Sequence, residues 1–167
     1  RNESSAASDV YKRQSYNNIG LRFNGQKGNF ALESELTLQN SSGTSSNNDV
    51  SASLFSFNLG YKPISTRFLN SVFLGLDRIS GDDSSTETAE GFSKEFGARH
   101  KHHGFYDYNL HKKYFGHGHD GLNEINAKAN IDILKRTNLL VALHNFKSAV
   151  KDIYYGSEVN LSLIHIS

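Results

Sequence analysis

Histidines are concentrated in one short part of this chain, and imidazole is a side chain suited to binding transition metals or changing its charge near neutral pH. Six of the eight histidines lie between residues 100 and 119, in ARHKHHGFYDY and LHKKYFGHGHD. The candidate ligands for a divalent metal ion here are His102, His103, His117, His119 and Asp120. Their spacing matches no defined zinc pattern. A solvated loop, partly folded back on the protein, is therefore favoured, and no metal site is predicted.

Charge is divided unevenly between the two halves of the stretch from residue 80 to residue 121. The first half, SGDDSSTETAE, carries the carboxylates of Asp82, Asp83, Glu87 and Glu90. The second half carries the fixed positive charges of Arg99, Lys101, Lys112 and Lys113. The acidic half lacks the alternating oxygen ligands and the closing glutamate of an EF-hand loop. It indicates an exposed acidic segment that pairs with the basic segment, rather than a Ca²⁺ site.

Catalytic chemistry has a single local candidate, the nucleophile–base pair of Ser148 and His144. A serine nucleophile needs a base within hydrogen-bonding distance and a third group that orients this base. The sequence offers no such third group, so we predict no catalytic residue, no cofactor and no enzymatic activity. A position without a catalytic role, facing a polar interior or an interface, is favoured for His144.

The elements that would position these side chains are β-strands. In NFALESELTLQ, apolar residues from Phe30 to Leu38 alternate with polar ones such as Glu33 and Glu35. A repeat of two residues predicts a strand with one apolar and one polar face. The same pattern appears in NIGLRFN, LFSFNLGYK, SVFLGLDRIS and GLNEINAKANIDI, and more weakly in NLLVALHNF and IYYGSEVN. The predicted fold class is all-β.

The connections between these strands alternate in length. Those at residues 24–28, 63–66 and 134–138 are short, and those at 40–48, 80–121 and 147–151 are longer. Tight turns at one rim and long polar loops at the other are typical of an outer-membrane barrel. The strands also approach the roughly nine to eleven residues that a tilted bilayer-spanning strand needs. We therefore expect an antiparallel up-and-down meander, part of a transmembrane β-barrel of porin type, in preference to a soluble β-sandwich.

Four stretches of the chain resemble the alginate-export porin family. They are FLGLDRISGDD at residues 73–83, FGARHKHHGFYDY at 96–108, GLNEINAKANIDI at 121–133 and ALHNF at 142–146. The resemblance implies an outer-membrane β-barrel of a Gram-negative bacterium. Such a barrel passes polar or anionic solute, including polysaccharide, through a charged lumen without chemistry, and its partners are outer-membrane lipid and that solute.

The polar faces of the predicted strands supply most of the candidate lumen and selectivity residues. The strand residues in this set are Arg22, Glu33, Glu35, Asp77, Glu124, Lys128 and Asp132. The loop at residues 80–121 adds Arg99 and Lys101 and is long enough to fold back over the pore. There, Arg99 and Lys101 would favour anionic solutes, since a local field at a constriction selects ions by charge.

A soluble or surface-attached β-domain that binds glycan is the alternative function. Phe105, Tyr106 and Tyr108 lie close together in the sequence and could form a stacking platform for a polar ligand. Aromatic residues in barrels also form girdles at the membrane interface, so these residues fit both interpretations.

The composition excludes several other classes of protein. Cys is absent, which excludes disulfides and thiolate metal sites. No apolar run approaches the roughly 18 residues that a membrane-spanning helix needs. The 18 basic residues barely exceed the 17 acidic ones, so no electrostatic footprint for nucleic acid is present and no nucleic-acid partner is predicted.

The two ends of the chain are related at the level of DNA. DVYKRQ at residues 9–14 and LSLIHI at residues 161–166 are translations of one DNA segment and its reverse complement, under an allowed choice of codons. Residues 1–14 and 161–167 are therefore expected to derive from a sequencing adapter, and residues 15–160 to be a fragment of the barrel. LSLIHI is nevertheless apolar enough to continue the sheet.

Overall fold

The computed structural model describes residues 17–41, 49–64, 68–93, 103–104 and 119–165, and the structural statements below concern these residues. They form one seven-stranded antiparallel sheet in which each strand pairs with its neighbours in sequence. The strands are β1 (Asn17–Lys27), β2 (Phe30–Ser41), β3 (Val50–Tyr61), β4 (Leu69–Ile79), β5 (Leu122–Leu134), β6 (Thr137–Lys147) and β7 (Tyr154–His165). This part of the chain contains no helix, and so none that is long and apolar enough to cross a membrane. The prediction of an all-β antiparallel meander is confirmed.

The alternation in the sequence separates two faces of this sheet. Residues directly opposite each other on paired strands share a face. One row runs from Arg22 through Glu35, Ser56 and Asp77 to Glu124. We call the side of the sheet that holds this row the polar face, and the opposite side the apolar face.

The apolar face is the exposed one. A single row of paired residues crosses it from β3 to β7, consisting of Leu59, Leu74, Ala127, Leu143 and Val159. Leu74 is 60% exposed and Val159 is 64% exposed. Folding in water normally buries such a row against another layer of structure. In the described part of the chain, the buried side is instead the side that carries the charges.

Two of the hairpins are tighter than the sequence predicts. The predicted turn at residues 24–28 is wrong in its bounds, because β1 continues to Lys27 and the chain reverses at Gly28 and Asn29. Gly28 has a φ of 59°, a conformation that glycine adopts without steric cost. The predicted turn at residues 134–138 narrows to Lys135 and Arg136, and Arg136 also has a positive φ, 67°. A positive φ at the first turn residue, as at Gly28, is typical of a type II′ hairpin turn.

The connections divide between two rims as predicted, although connection 62–68 is longer than connection 148–153. Turns 28–29, 62–68 and 135–136 lie at one rim, and connections 42–49, 80–121 and 148–153 lie at the other, which we call the long-connection rim. This arrangement follows directly from a meander in which every neighbouring pair is antiparallel. The sheet is open, with β1 and β7 as its two edges.

The last strand includes residues whose predicted origin is sequencing adapter. Leu161 lies opposite Val141, and Leu163 lies opposite Leu139, so β7 pairs with β6 as far as His165. The expectation that LSLIHI continues the sheet is confirmed up to that residue. Its adapter origin stays a prediction.

The hydrophobic core lies at the long-connection rim, on the polar face. It consists of Val50, Ala52, Ile79, Phe92, Leu122 and Phe146. Ile79 and Leu122 are paired residues at the ends of β4 and β5, and neither is exposed to solvent. Phe92 comes from the connection between those strands. The core therefore exists because this connection turns back over the sheet.

Hydrogen bonds hold the first part of that connection in place. Ala89 donates its N–H to the Asp49 carbonyl oxygen and accepts the N–H of Ser51, both at 3.0 Å. The side chain of Gln39 accepts the Ser93 N–H at 2.7 Å and donates to the Ser93 carbonyl oxygen at 2.9 Å. Residues 80–93 thus lie across the polar face beside β2 and β3.

We expect Phe92→Ala to lower the free energy of unfolding by about 3 kcal/mol, since it removes a ring from a closed apolar cluster and leaves a cavity. Urea unfolding of the chain in detergent micelles measures this cost. Leu74→Ala is the matched control, because Leu74 lies on the exposed apolar face and its truncation leaves no enclosed cavity. Similar losses for both variants would contradict the assignment of the core to the polar face.

Candidate functional site

A group of buried acidic and imidazole side chains lies on the polar face, next to the hydrophobic core along strands β4, β5 and β6. It consists of Asp77, His103, Glu124 and His144, which we call the Glu124 cluster. Asp77 of β4 and Glu124 of β5 are directly paired residues. His144 of β6 lies opposite Asn126, one step along the same face. His103 comes from the long connection between β4 and β5.

Glu124 is the centre of this cluster. His144 Nδ1 lies 2.6 Å from Glu124 Oε1, and His103 Nδ1 hydrogen-bonds to the other carboxylate oxygen, Oε2. Since an ionised carboxylate only accepts hydrogen bonds, each imidazole donates from Nδ1. Glu124 is 0% exposed, so two imidazole donors replace the water that an exposed carboxylate would bind.

Asp77 completes the cluster on the β4 side. Its Oδ2 lies 3.9 Å from His103 Nδ1, and its residue exposure is 7%. Asn126 donates from Nδ2 to Glu124 Oε1 at 3.2 Å and to Asp77 Oδ2 at 3.5 Å. Two neighbouring carboxylates repel each other in a medium of low dielectric constant. The imidazoles and this amide supply the donors that keep them together.

The ring of His144 is fixed by a neighbour on its own strand. It stacks on Phe146, with ring centroids 5.8 Å apart and an interplanar angle of 12°. Phe146 belongs to the hydrophobic core and is fully buried. The orientation of the imidazole that serves Glu124 is therefore set by apolar packing at the rim.

The long connection reaches the cluster by passing close to β7. Gly104 has a φ of 73°, and a Cβ at that position would lie 2.8 Å from Glu158 Oε2 and 2.9 Å from Asn160 Nδ2. Only glycine suits both the backbone conformation and this close approach. The connection thus contacts the polar face from Gln39 on β2 to Asn160 on β7.

The loop residues that the sequence suggested as metal ligands do not form one group in the described part of the chain. His103 turns to Glu124, and Asp120 pairs with Lys151, with 2.7 Å between Lys151 Nζ and Asp120 Oδ1. His102 and His117 lie outside the described residues. The expectation of a solvated position is wrong for His103, which is 6% exposed because a buried carboxylate needs its N–H.

Hydrogen bonding shifts the pKa of two charged groups at the long-connection rim. A hydrogen bond to Asp120 and the negative charge of Asp120 raise the pKa of Lys151. Hydrogen bonds from the backbone and side chain of Ser85 lower the pKa of Asp83. The basic half of the loop lies outside the described residues, so its predicted pairing with the acidic half stays a prediction.

The nucleophile–base pair considered from the sequence does not form. His144 is bound to Glu124 through Nδ1, whereas Ser148 Oγ donates to the Asp120 carbonyl oxygen at 3.2 Å. Ser148 Oγ also accepts the N–H groups of Val150 and Lys151. These bonds give Ser148 a structural role in the turn before β7. His144 lies on the polar face.

The predicted lumen residues of the strands all share the polar face. Arg22 and Glu33 are exposed, Glu35, Lys128 and Asp132 are half-buried, and Asp77 and Glu124 are buried. Asp132 lies towards the rim opposite the long-connection rim. It accepts hydrogen bonds from Asn70 at 2.8 Å and Asn138 at 3.1 Å. Arg99 and Lys101 lie outside the described residues, as do Phe105, Tyr106 and Tyr108 of the glycan-binding alternative.

Sequence reasoning missed His144 and Asn126 as members of the site. The signal was present in the alternation, because Asn126 follows Glu124 by two residues and His144 precedes the apolar Phe146 by two. The sequence does not show the strand register, and this register sets Asn126 opposite His144.

No protein-family model, curated protein or solved structure matches this chain. The resemblance to the alginate-export porins therefore depends on the sequence stretches quoted for it.

We expect Glu124→Gln to lower the free energy of unfolding by about 3 kcal/mol, because the amide that replaces the carboxylate turns a donor towards one of two imidazole donors. Urea unfolding in micelles measures the change. Asp132→Asn is the matched control, since Asp132 is half-buried and its partners are two flexible amides, and it should cost less than about 1 kcal/mol. Equal costs would mean that the Glu124 cluster contributes nothing particular to the fold.

Proposed function

We propose that this chain is part of an outer-membrane β-barrel channel of a Gram-negative bacterium, which passes polar or anionic solute, including polysaccharide, through a charged lumen. The observation that carries the proposal is the reversal of the two faces. The long connection covers the part of the polar face that holds Asp77 and Glu124, whereas the face rich in Leu, Phe and Val is exposed across seven strands. A bilayer is the environment in which an exposed face of this kind is stable.

The dimensions of the strands support this proposal. They run from 11 residues in β1 to 13 residues in β5. A strand tilted in a bilayer needs about nine to eleven residues to cross the hydrocarbon core. Strands β1 to β6 are therefore each long enough to cross, with their ends at the two interfaces. Strand β7 reaches this length only with residues 161–165, whose expected origin is sequencing adapter.

The position of the long connection supports a channel in particular. It lies against the polar face, which would be the lumen side of a barrel, and it carries Phe92 and His103 into that space. Loops that fold into the lumen narrow many barrels and set their selectivity. Since the carboxylate of Glu124 binds two imidazoles, its charge would act only weakly on a passing anion.

Transport fits the polar face better than catalysis does. His144 and Ser148, the only nucleophile–base pair suggested by the sequence, are bound to different partners. The cluster around Glu124 is buried beneath the core, away from a position where a substrate could be attacked. We therefore propose transport rather than catalysis for the polar face.

Cysteine labelling in lipid vesicles tests the orientation of the faces. The chain has no cysteine, so each introduced thiol is the only one. We expect Leu59→Cys and Leu74→Cys to resist water-soluble maleimide and to be quenched by brominated lipid when labelled with a fluorophore. Asn58→Cys, beside Leu59 but on the polar face, is the matched control and should show the opposite behaviour. Rapid aqueous labelling of Leu59→Cys and Leu74→Cys in vesicles would favour a soluble domain.

Selectivity is the second measurable consequence. Replacing Arg99 and Lys101 together with Glu in the intact barrel should shift the reversal potential in planar bilayers towards cations, because fixed charge at a constriction sets ion preference. The same double replacement with Gln separates loss of positive charge from gain of negative charge, and should give a smaller shift. An unchanged reversal potential in both variants would place these residues outside the conduction path.

A further inference from the structure

Three donor atoms of the Glu124 cluster are arranged as a metal-binding group. One ligand atom from each of Asp77, His103 and Glu124 can be chosen so that all three lie within 4.8 Å of one another, and all three residues are buried. The set combines an imidazole nitrogen with two carboxylate oxygens. Imidazole suits zinc and neighbouring transition metals, whereas calcium and magnesium prefer oxygen alone.

We propose that Asp77, His103 and Glu124 bind a divalent transition-metal ion of the Zn²⁺ type, which joins the long connection to strands β4 and β5. Around a tetrahedral zinc ion with bonds of about 2.0–2.2 Å, neighbouring ligand atoms lie roughly 3.3 Å apart. His103 Nδ1 and Asp77 Oδ2 are 3.9 Å apart and would have to approach each other, whereas His103 Nδ1 and Glu124 Oε2 are in hydrogen-bond contact and would have to move apart. The ion takes the place of the proton between His103 and Glu124.

The charge of the site favours a divalent cation. Asp77 and Glu124 are directly paired residues on neighbouring strands, and both are buried. Two buried carboxylates are costly without compensating positive charge. A divalent ion supplies two positive charges between the two carboxylates.

The groups behind the ligands are those that orient metal-binding carboxylates in proteins. His144 Nδ1 holds Glu124 Oε1 at 2.6 Å, which leaves Oε2 directed towards His103. Asn126 Nδ2 contacts Oε1 of Glu124 and Oδ2 of Asp77. His144 is in turn fixed by stacking on Phe146.

The amide of Asn126, beside the cluster, holds a buried oxygen without a partner in the described part of the chain. Asn126 is 2% exposed, and its Oδ1 is buried without a hydrogen-bond partner among the described residues. It faces the space above Gly75 together with Oδ1 of Asn58, so two acceptors point at the same place. A half-turn of the Asn126 amide would put a donor beside Asn58 and direct an oxygen towards the two carboxylates. In the metal-bound state this oxygen would face the carboxylates in place of Nδ2 and serve as the fourth ligand, so the two hydrogen bonds from Nδ2 belong to the metal-free state.

The inference depends on the fold of the polar face and not on the proposed channel. A metal bound here would be measured equally well in a protein that conducts nothing. Failure of the labelling experiment and failure of the metal experiment are therefore separate results.

Titration of the 167-residue chain in detergent micelles with Co²⁺, followed by visible absorption, tests the site. We expect one equivalent to bind with the intense bands of tetrahedral coordination, to be displaced by Zn²⁺ and to be unaffected by Ca²⁺. His103→Ala and Asp77→Asn should each weaken binding at least 100-fold. His144→Gln, which alters a group behind the ligands, should weaken it about tenfold. His165→Ala and Asp132→Asn are matched controls outside the cluster and should bind like the parent.

A second measurement guards against loss of folding in the variants. Zn²⁺ should raise the thermal unfolding midpoint of the parent and leave that of His103→Ala unchanged, because a ligand stabilises only the fold that binds it. His103 lies outside the strands, so His103→Ala decides the question if Asp77→Asn does not fold. Absence of Co²⁺ binding by the parent would overturn the proposal. Parent-like binding by His103→Ala would also overturn it and would place the ion on other histidines.

Discussion

The hydrogen bonds of one buried carboxylate hold the polar side of this protein together. Glu124 has no contact with solvent, and each of its oxygens receives a hydrogen bond from a different imidazole. One imidazole belongs to the strand beside it, and the other belongs to the long connection. A buried carboxylate without donors is strongly unfavourable. The connection therefore cannot leave the sheet without exposing Glu124 to solvent or leaving it buried without the His103 donor. This requirement couples the loop to the sheet more specifically than apolar packing does.

Apolar packing acts at the rim above the cluster. Phe92 brings a ring from the connection to Ile79, Leu122 and Phe146, which lie at the ends of three strands. Phe146 stacks on His144, so the hydrophobic core also fixes the orientation of the imidazole that donates to Glu124. The polar cluster and the core are thus adjacent parts of one face of the sheet. A change in either part is expected to affect how the connection lies on the sheet.

The apolar face of the sheet needs a different environment from the polar face. Leu59, Leu74, Leu143 and Val159 form a continuous row that no described residue covers. In water such a face promotes association, while in a bilayer it is matched to the lipid chains. The exposed row is therefore the feature on which the proposed location in a bilayer depends.

The alternation of side chains along each strand was enough to predict the all-β fold and the division into two faces. Because successive side chains in a strand point to opposite sides, the sequence alone assigned Glu35, Asp77, Glu124 and Lys128 to one face. The order of short and long connections likewise determined the two rims. These features are local or follow from chain order, so no contact between distant residues was needed to predict them.

Only the tertiary structure decided what the polar face does with its charges. Six histidines lie in one stretch of sequence, yet the structure brings His103 to Glu124, and its partner His144 comes from a separate strand. The sequence also could not show that Phe92 completes the core, or that Gly104 lets the connection approach Glu158. The physical reason is the same in each case. Which loop residue is buried depends on the donor, the acceptor or the space that the strands present to it, and those are set by strand register across the whole sheet.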